Sequence, residues 1–253
     1  MEPRSMEEEL RALREEVARL KGELAAREHE AAARARELER YADELRRASE
    51  REHERALELR RSYEATVRAL AGAVEARDAY TGKHAERVAA YGMALARECG
   101  LRVEEPHVEF GFLLHDIGKV AISDAILHKP GSLTPPERDV MRTHPVIGDA
   151  IVSGIDFLAE ARHVVRSHHE RWDGTGYPDQ LVGEEIPLAA RVFAVADTFD
   201  ALTSDRPYRA ACSFETARAV IAAGAGTQFD PDVADAFAAL DDELLLEIRS
   251  ALT

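Results

Sequence analysis

The sequence predicts an all-α protein in which a long N-terminal helix precedes a helical bundle. Residues Met6 to Arg60 are mostly Ala, Leu, Glu and Arg, and this stretch contains no proline. The rest of the chain repeats apolar residues with a period of about 3.6, and strand signals are scarce. A length of 253 residues allows one or two domains, but the first fifth of the chain is not globular in composition. We therefore expect a coiled-coil dimerisation helix over residues 1–65 and one globular domain over residues 66–253.

The N-terminal helix carries two apolar seams with a seven-residue repeat. Arg27 and Arg34 interrupt the second seam, which weakens the middle of the coil. The seams consist of Leu10, Val17, Leu24, Ala31, Leu38 and Leu45, and of Leu13, Leu20, Tyr41 and Ala48. We expect a homodimer through this coiled coil. The alternative is a solvated single helix held by charge pairs four residues apart.

The globular domain is predicted to be a bundle, because apolar residues recur at helical spacing between short loops. Glycine and proline mark the loops Lys129 to Glu137, Asp173 to Pro178 and Ser204 to Arg209. The predicted helices cover Ala85 to Glu98, Pro136 to Ser153, Ala159 to His169, Leu188 to Leu202, Ser213 to Ala223 and Pro231 to Leu240.

Charge and cysteine content argue against several classes of protein. The formal net charge of -15 disfavours a nucleic-acid-binding surface, since phosphate backbones are held by basic patches. The two cysteines, Cys99 and Cys212, are too few for a disulfide framework, which fits a reducing compartment. The charged N-terminus and the lack of an apolar run of about 18 residues predict a cytoplasmic protein without membrane insertion.

Histidine and aspartate residues suited to metal binding are spread over the globular domain. Imidazole and carboxylate groups are ligands that iron, manganese, nickel and zinc accept. Seven candidates lie too far apart in sequence for one loop, so they must converge from several elements. They are His84, His115, Asp116, His144, His168, His169 and Asp197. One ion cannot use all seven, so the set predicts two ions that share a carboxylate, an arrangement that serves hydrolysis of phosphate esters.

Taken alone, each pair of candidates has a simpler interpretation. His115 and Asp116 follow the apolar residues FGFLL and, as a dipeptide, suit a hydrogen-bonded core pair. Lys119, one turn from His115, favours chemistry, since a cation there can stabilise or protonate a leaving oxygen. Adjacent helical side chains such as His168 and His169 diverge by about 100°, so both can face one ion only beyond a helix end. The loop that follows them allows this.

The ordered motifs resemble the HD-GYP family, a branch of the HD metal-dependent phosphohydrolases. The resemblance runs from Asp78 to Pro231 through DAYTGKHAERV, HDIGK, KPGSLT, THP, HHERWDGTGYP, VADTFDALTSDRPYR and GTQFDP. It implies an HD-type helical bundle that hydrolyses cyclic di-GMP to linear pGpG and/or GMP. The reaction would use a metal-bound hydroxide at a two-metal site.

The resemblance also implies a metal assignment. Asp116 would bridge two ions, with iron or manganese expected and nickel or zinc as alternatives. One ion would be held by His84, His115, Asp116 and Asp197. The other would be held by Asp116, His144, His168 and His169.

Substrate contacts follow from the same resemblance. Lys119, oriented by Asp78, would protonate or stabilise the departing 3′ oxygen. Arg206 and Arg209 would hold substrate phosphates, to which their planar guanidinium groups are suited. Tyr177 of the DGTGYP loop would lie beside the substrate, although this loop can also serve only to set a tight backbone path. The family associates the same loop with protein partners, including diguanylate cyclase domains.

Three positions depart from the family pattern. Tyr80 stands where some members have a glutamate that completes a third metal position, which favours a two-metal site here. Ser132 and Ala210 stand where lysine is common, which would weaken substrate binding.

Two other functions stay open at this point. One is hydrolysis of another nucleotide, cyclic or not. The other is a catalytically silent module that binds cyclic di-GMP or docks partners, although such a module has no chemical need for the complete ligand set and Lys119.

Overall fold

The protein is all-α, as the sequence predicted, in a computed structural model that describes residues 6–77, 83–103, 106–205 and 209–252. These residues form eleven α-helices and three short 3-10 helices, and their only strand-like pairings are two isolated bridges. The helices are α1 (Met6–Glu75), α2 (His84–Glu98), α3 (His107–Leu113), α4 (Asp124–Leu127), α5 (Pro135–Met141), α6 (His144–Val152), α7 (Arg162–Ser167), α8 (Leu188–Thr203), α9 (Phe214–Ala223), α10 (Pro231–Ala239) and α11 (Asp242–Ala251). The 3-10 helices cover Ile117–Ala121, Asp156–Leu158 and Gly183–Glu185.

The chain divides into two compact units, Met1–Ser62 and Tyr63–Thr253. The described part of the first unit is helical and exposed throughout, apart from half-buried Ala48. Its glutamates and arginines pair at helical spacing, as Arg19 does with Glu16 and Glu23 at 2.6 Å each. Because both partners are exposed to solvent, such pairs contribute little to stability. None of the helices that the structure describes is long and apolar enough to cross a membrane.

The core of the second unit surrounds α8, which packs against α2, α7, α9 and α10. The sequence RVFAVA in α8 supplies apolar residues on several faces, so this helix is buried on most sides. Phe193 and Phe199 are fully buried there, and each contributes about 1.5–3 kcal/mol of transfer free energy. Phe112 of α3 and Tyr91 of α2 pack on these two rings at 5.5 and 5.0 Å between centroids.

Two predicted helices are shorter in the structure. The segment Pro136 to Ser153 is two helices, α5 and α6, because Pro145 lacks an amide hydrogen and is tolerated only in the first turn of a new helix. The segment Ala159 to His169 is reduced to α7, which ends at Ser167. Both breaks place histidines at helix ends: His144 begins α6, and His168 follows α7.

Candidate metal centre

Five elements bring the seven predicted ligands to one region of the second unit. His115 and Asp116 lie in the turn between α3 and the first 3-10 helix, and His144 opens α6. His168 and His169 follow the last residue of α7. His84 is the first residue of α2, and Asp197 lies on α8. Five of the seven line one cavity of about 200 Å³, and the other two, His144 and His168, are buried.

The tightest group consists of Asp116, His144, His168 and His169. One potential ligand atom from each lies within 4.8 Å of the others. Asp116 Oδ1 lies 3.3 Å from His144 Nε2 and 4.0 Å from His168 Nε2. These are metal-ligand types at a separation that a single ion can span.

The other carboxylate oxygen of Asp116 faces a second set of groups. Asp116 Oδ2 lies 3.1 Å from His115 Nε2 and 2.8 Å from Lys119 Nζ. On the same side, His84 Nε2 lies 3.4 Å from Asp197 Oδ1, and the His84 and His115 rings are 5.7 Å apart. Asp116 therefore stands between the two predicted ligand sets.

Backbone carbonyl groups fix how three of the imidazoles point. The Nδ1 atoms of His115, His144 and His168 lie 2.8, 2.8 and 2.9 Å from the carbonyl oxygens of Phe112, Met141 and Val165. A carbonyl oxygen only accepts, so each Nδ1 donates, and a neutral ring then carries its lone pair on Nε2. His144 Nε2 and His168 Nε2 lie 3.1 Å apart. Two lone pairs at that distance repel each other, so this arrangement suits a cation bound by both.

The electrostatics of the group formed by Asp116, His144, His168 and His169 favour the protonation states that metal binding needs. Burial lowers the pKa of His144, and it lowers the pKa of His168 well below the ordinary value with help from His169. Burial and neighbouring His144 lower the pKa of His169 to about 3. Burial alone would raise the pKa of Asp116, but His115 and Lys119 outweigh it and hold that pKa well below its usual range. The neutral imidazoles of His144, His168 and His169 therefore lie beside a charged carboxylate, and this donor set fits a divalent metal ion.

Two features hold the HDIGK segment against its neighbours. Arg77 donates to the carbonyl oxygens of Lys119, Val120 and Ile122 at 3.0, 2.7 and 2.8 Å, which fixes the 3-10 helix that carries Lys119. Gly118 lies against the first turn of α6, where an added Cβ would fall 1.9 Å from the His144 carbonyl oxygen. Glycine at this position therefore permits the close approach of Asp116 and His144.

The DGTGYP loop packs directly on a predicted ligand. Tyr177 stacks on His169 with ring centroids 4.7 Å apart and planes inclined by 25°. The Arg142 guanidinium lies over the Tyr177 ring, 5.2 Å from its centroid. Tyr177 thus lies between a predicted metal ligand, His169, and the exposed Arg142 side chain, and its predicted contact with substrate stays a prediction.

Glu170 organises this loop, and the sequence interpretation missed it. The buried carboxylate accepts hydrogen bonds from the backbone amides of Asp179, Gln180 and Leu181 at 2.7, 3.1 and 3.2 Å. A glutamate directly after two candidate ligands and before a glycine-rich loop was the available signal. Gly176 meets the backbone of Glu170 and Arg171 so closely that a Cβ would lie 2.4 Å from the Arg171 nitrogen.

The remaining predicted site residues fall into two groups. Asp78 and Arg206 lie outside the described residues, as does Tyr80. Arg209 is exposed and donates a hydrogen bond to the carbonyl oxygen of Ala201, near the end of α8. Its contact with substrate phosphate is therefore still a prediction.

The sequence of this chain is similar to a protein family and to several characterised proteins. The sequence profile of a family described as HD domain matches residues 68–233. The cyclic di-GMP phosphodiesterase response regulator RpfG of Xanthomonas campestris pv. campestris is 47% identical over 174 residues, which are 68% of this chain and 46% of that protein. The 3′3′-cGAMP-specific phosphodiesterase 2 of Vibrio cholerae is 40% identical over 199 residues, which are 78% of this chain and 38% of that protein.

A solved structure shares the fold. The crystal structure of a cyclic GMP-AMP specific phosphodiesterase of Vibrio cholerae superposes with a TM-score of 0.57 at 22% sequence identity, over 73% of this chain and 50% of that one. The chain spans less than half of the length of both curated relatives.

Proposed function

We propose that this chain, which belongs to the HD domain family and to its HD-GYP branch, is a metal-dependent phosphodiesterase that hydrolyses cyclic di-GMP to linear pGpG and/or GMP. The observation that carries the proposal is the convergence of Asp116, His144, His168 and His169 within 4.8 Å, with Lys119 beside the shared carboxylate. The family membership confirms the resemblance found in the sequence.

The two ligand sets support two metal positions. We assign Asp116 as the bridge, since its two oxygens face different histidines. The first position takes His84, His115, Asp116 and Asp197, and the second takes Asp116, His144, His168 and His169. We propose iron or manganese as the ions, with nickel or zinc as alternatives, because these ligands accept all four.

Divalent ions held in this way would lower the pKa of bound water and polarise a phosphate oxygen. The residues of the chain supply the rest. The Lys119 ammonium, 2.8 Å from Asp116 Oδ2, would stabilise or protonate the departing 3′ oxygen. Leu113, Leu114 and Ile117 also line the cavity, and their apolar groups would limit the access of water to these charges. Arg209, with Arg206 and Asp78 beyond the described residues, completes the proposed phosphate-binding and orienting groups.

The named relatives support a second candidate substrate. One is a phosphodiesterase of cyclic di-GMP and another of 3′3′-cGAMP, and the two are similarly related to this chain. Both substrates present a 3′–5′ phosphodiester to the same two-metal chemistry, so they differ only in base recognition. The complete ligand set continues to argue against a silent binding module.

Turnover assays test the proposal. Anaerobically purified protein with Mn(II) or Fe(II) is incubated with each cyclic dinucleotide, and products are separated by liquid chromatography. We expect linear pGpG or GMP from the parent and none from His115→Ala or Asp116→Ala. His163→Ala is the matched control, because this exposed histidine lies 3.8 Å from the surface Glu160, away from the ligands, and should leave activity unchanged.

The outcomes separate the candidates. Hydrolysis of 3′3′-cGAMP alone would replace the substrate while keeping the mechanism. Absence of turnover with two bound ions would point to another nucleotide, and absence of bound metal would support the silent module.

The N-terminal helix supports the proposed homodimer. Four apolar seam residues are each about half exposed or more in the single chain: Leu10, Leu13, Val17 and Leu20. A second copy of the helix would bury them in a coiled coil. We propose that residues 1–65 form this dimer and that residues 66–253 form the phosphohydrolase domain. Light scattering of the chain against a Leu13→Glu/Leu20→Glu variant tests it, with a fall from dimer to monomer expected for the variant.

Two further proposals rest on the sequence. A diguanylate cyclase domain is the protein partner proposed for the DGTGYP loop. A cytoplasmic location is proposed because Cys99 and Cys212 are both free thiols.

A further inference from the structure

His84 differs from His115, His144 and His168 in what its second ring nitrogen contacts. The Nδ1 atoms of the other three face backbone carbonyls, whereas His84 Nδ1 lies 2.7 Å from the Asp200 carboxylate. Asp200 is buried and lies on α8 one turn after Asp197. A carboxylate behind a ligand imidazole fixes the ring and makes it a more basic ligand than a neutral carbonyl does.

Arg87 orients Asp200 and balances its charge. Arg87 Nε lies 2.6 Å from Asp200 Oδ1, and Arg87 Nη2 lies 3.1 Å from Asp200 Oδ2. Since Arg87 follows His84 by three residues on α2, the two side chains lie on one face of that helix. They face Asp197 and Asp200, which have the same spacing on α8. Arg87 thus holds the buried Asp200 carboxylate in position toward His84.

The two proposed metal positions therefore differ in charge as well as in geometry. The first has Asp116 and Asp197 as ligands and Asp200 behind His84. The second has three imidazoles and only the shared carboxylate of Asp116. More carboxylate charge favours binding of hard divalent ions such as Mn(II).

We propose that Asp200 is a positioning residue that acts selectively on the first metal position, so that the two ions bind with unequal affinities. Asp200 holds His84 in its ligand orientation, and loss of its charge weakens one ion while sparing the other. This inference rests on the proposed function, because it assumes that both positions bind metal.

A purely structural role is the competing explanation. A buried carboxylate paired with arginine can also hold α2 against α8 without any effect on metal affinity. Asp230 provides the matched control, because it is similarly buried, is paired with Arg191 at 2.5 Å and caps α10, a helix that carries none of the seven predicted ligands.

The test compares Asp200→Asn with Asp230→Asn in the full chain. Bound manganese per chain is measured by mass spectrometry over a series of free Mn(II) concentrations, and the chelated proteins are melted in parallel. For Asp200→Asn we expect one ion to bind about 10–100-fold more weakly and the other to bind as in the parent. For Asp230→Asn we expect both parental affinities. Added Mn(II) should restore turnover of cyclic di-GMP by Asp200→Asn.

Asp200→Glu keeps the charge and should recover much of the lost affinity, which guards against a folding defect in the asparagine variant. Parental affinities for both ions in Asp200→Asn, with only a lower melting temperature, would overturn the proposal. Equal weakening of both ions would overturn its selectivity. Failure of the proposed function would instead appear in the parent, as two bound ions without turnover or as no bound metal.

Discussion

Replacing Gly118 by alanine should separate the two segments that carry Asp116 and His144. Gly118 lies in the 3-10 helix after the His–Asp pair, against the first turn of α6. An added Cβ would lie 1.9 Å from the His144 carbonyl oxygen and 2.6 Å from the Gly148 nitrogen. Both atoms are backbone, so no side-chain rotation can relieve the contact.

The size of the disturbance follows from these distances. Ordinary contact begins near 3.5 Å, so the two segments must move apart by roughly 1.5 Å. His144 Nε2 lies only 3.3 Å from Asp116 Oδ1, and metal-ligand distances tolerate about 0.2 Å. We expect a loss of about 3 kcal/mol in the free energy of unfolding and at least a 100-fold loss of turnover.

The assay pairs a urea titration of chelated protein with a measurement of bound metal. Gly72→Ala is the control, because Gly72 is exposed in α1 and an added Cβ there has no atom within 4 Å. Alanine at that helical position should stabilise the protein by about 0.5–1 kcal/mol. Parental metal binding and stability in Gly118→Ala would refute the view that this glycine sets the Asp116–His144 distance.

Two further predictions concern buried groups near the site. Glu170→Gln should lower the free energy of unfolding by about 2 kcal/mol, because the new amide nitrogen faces the Leu181 amide and cannot accept its hydrogen bond. The measurement is a urea titration beside the exposed control Glu184→Gln, and equal free energies of unfolding for the two variants would contradict the prediction. In metal-free protein, burial holds the pKa of His169 at about 3 against an ordinary 6.5, so its contribution to stability is fully present above pH 6.5 and is lost as the pH falls toward 3. Urea midpoints of chelated protein should therefore fall with pH over this range, less steeply for His169→Gln, and equal slopes would disprove the assignment.

The fold class and most helix positions were accessible from the sequence, because apolar periodicity is a local property. The predicted helix at Leu188 to Leu202 differs from α8 by one residue, and the predicted helix at Pro231 to Leu240 differs from α10 by one. The helices α3, α4 and α11 lie outside the predicted ranges, and the helix predicted over Pro136 to Ser153 is two helices. The helix breaks there because Pro145 is tolerated only in the first turn of a new helix, and apolar periodicity alone does not reveal this constraint.

The candidate site was predicted in its ligand types but not in its supporting contacts. Histidine and aspartate in family order indicated which seven side chains should converge, and the structure brings all seven together. It does not test their roles. Glu170, Gly118 and Asp200 were overlooked, since each acts through a backbone or side-chain partner that the local sequence does not reveal.

The sequence by itself determined that the chain is helical and which family it belongs to, and it named the candidate residues of the site. Helical period and the position of proline are local properties of the chain, and ligand chemistry belongs to the residue type, so all three can be read without coordinates. Only the tertiary structure decided that the Asp200 carboxylate contacts His84 Nδ1, although the two residues are 116 positions apart in the chain. The same holds for Gly118, whose missing side chain permits close contact with the backbone of α6. Those contacts arise from how α2, α6 and α8 pack in three dimensions, and packing depends on the shape of the whole core.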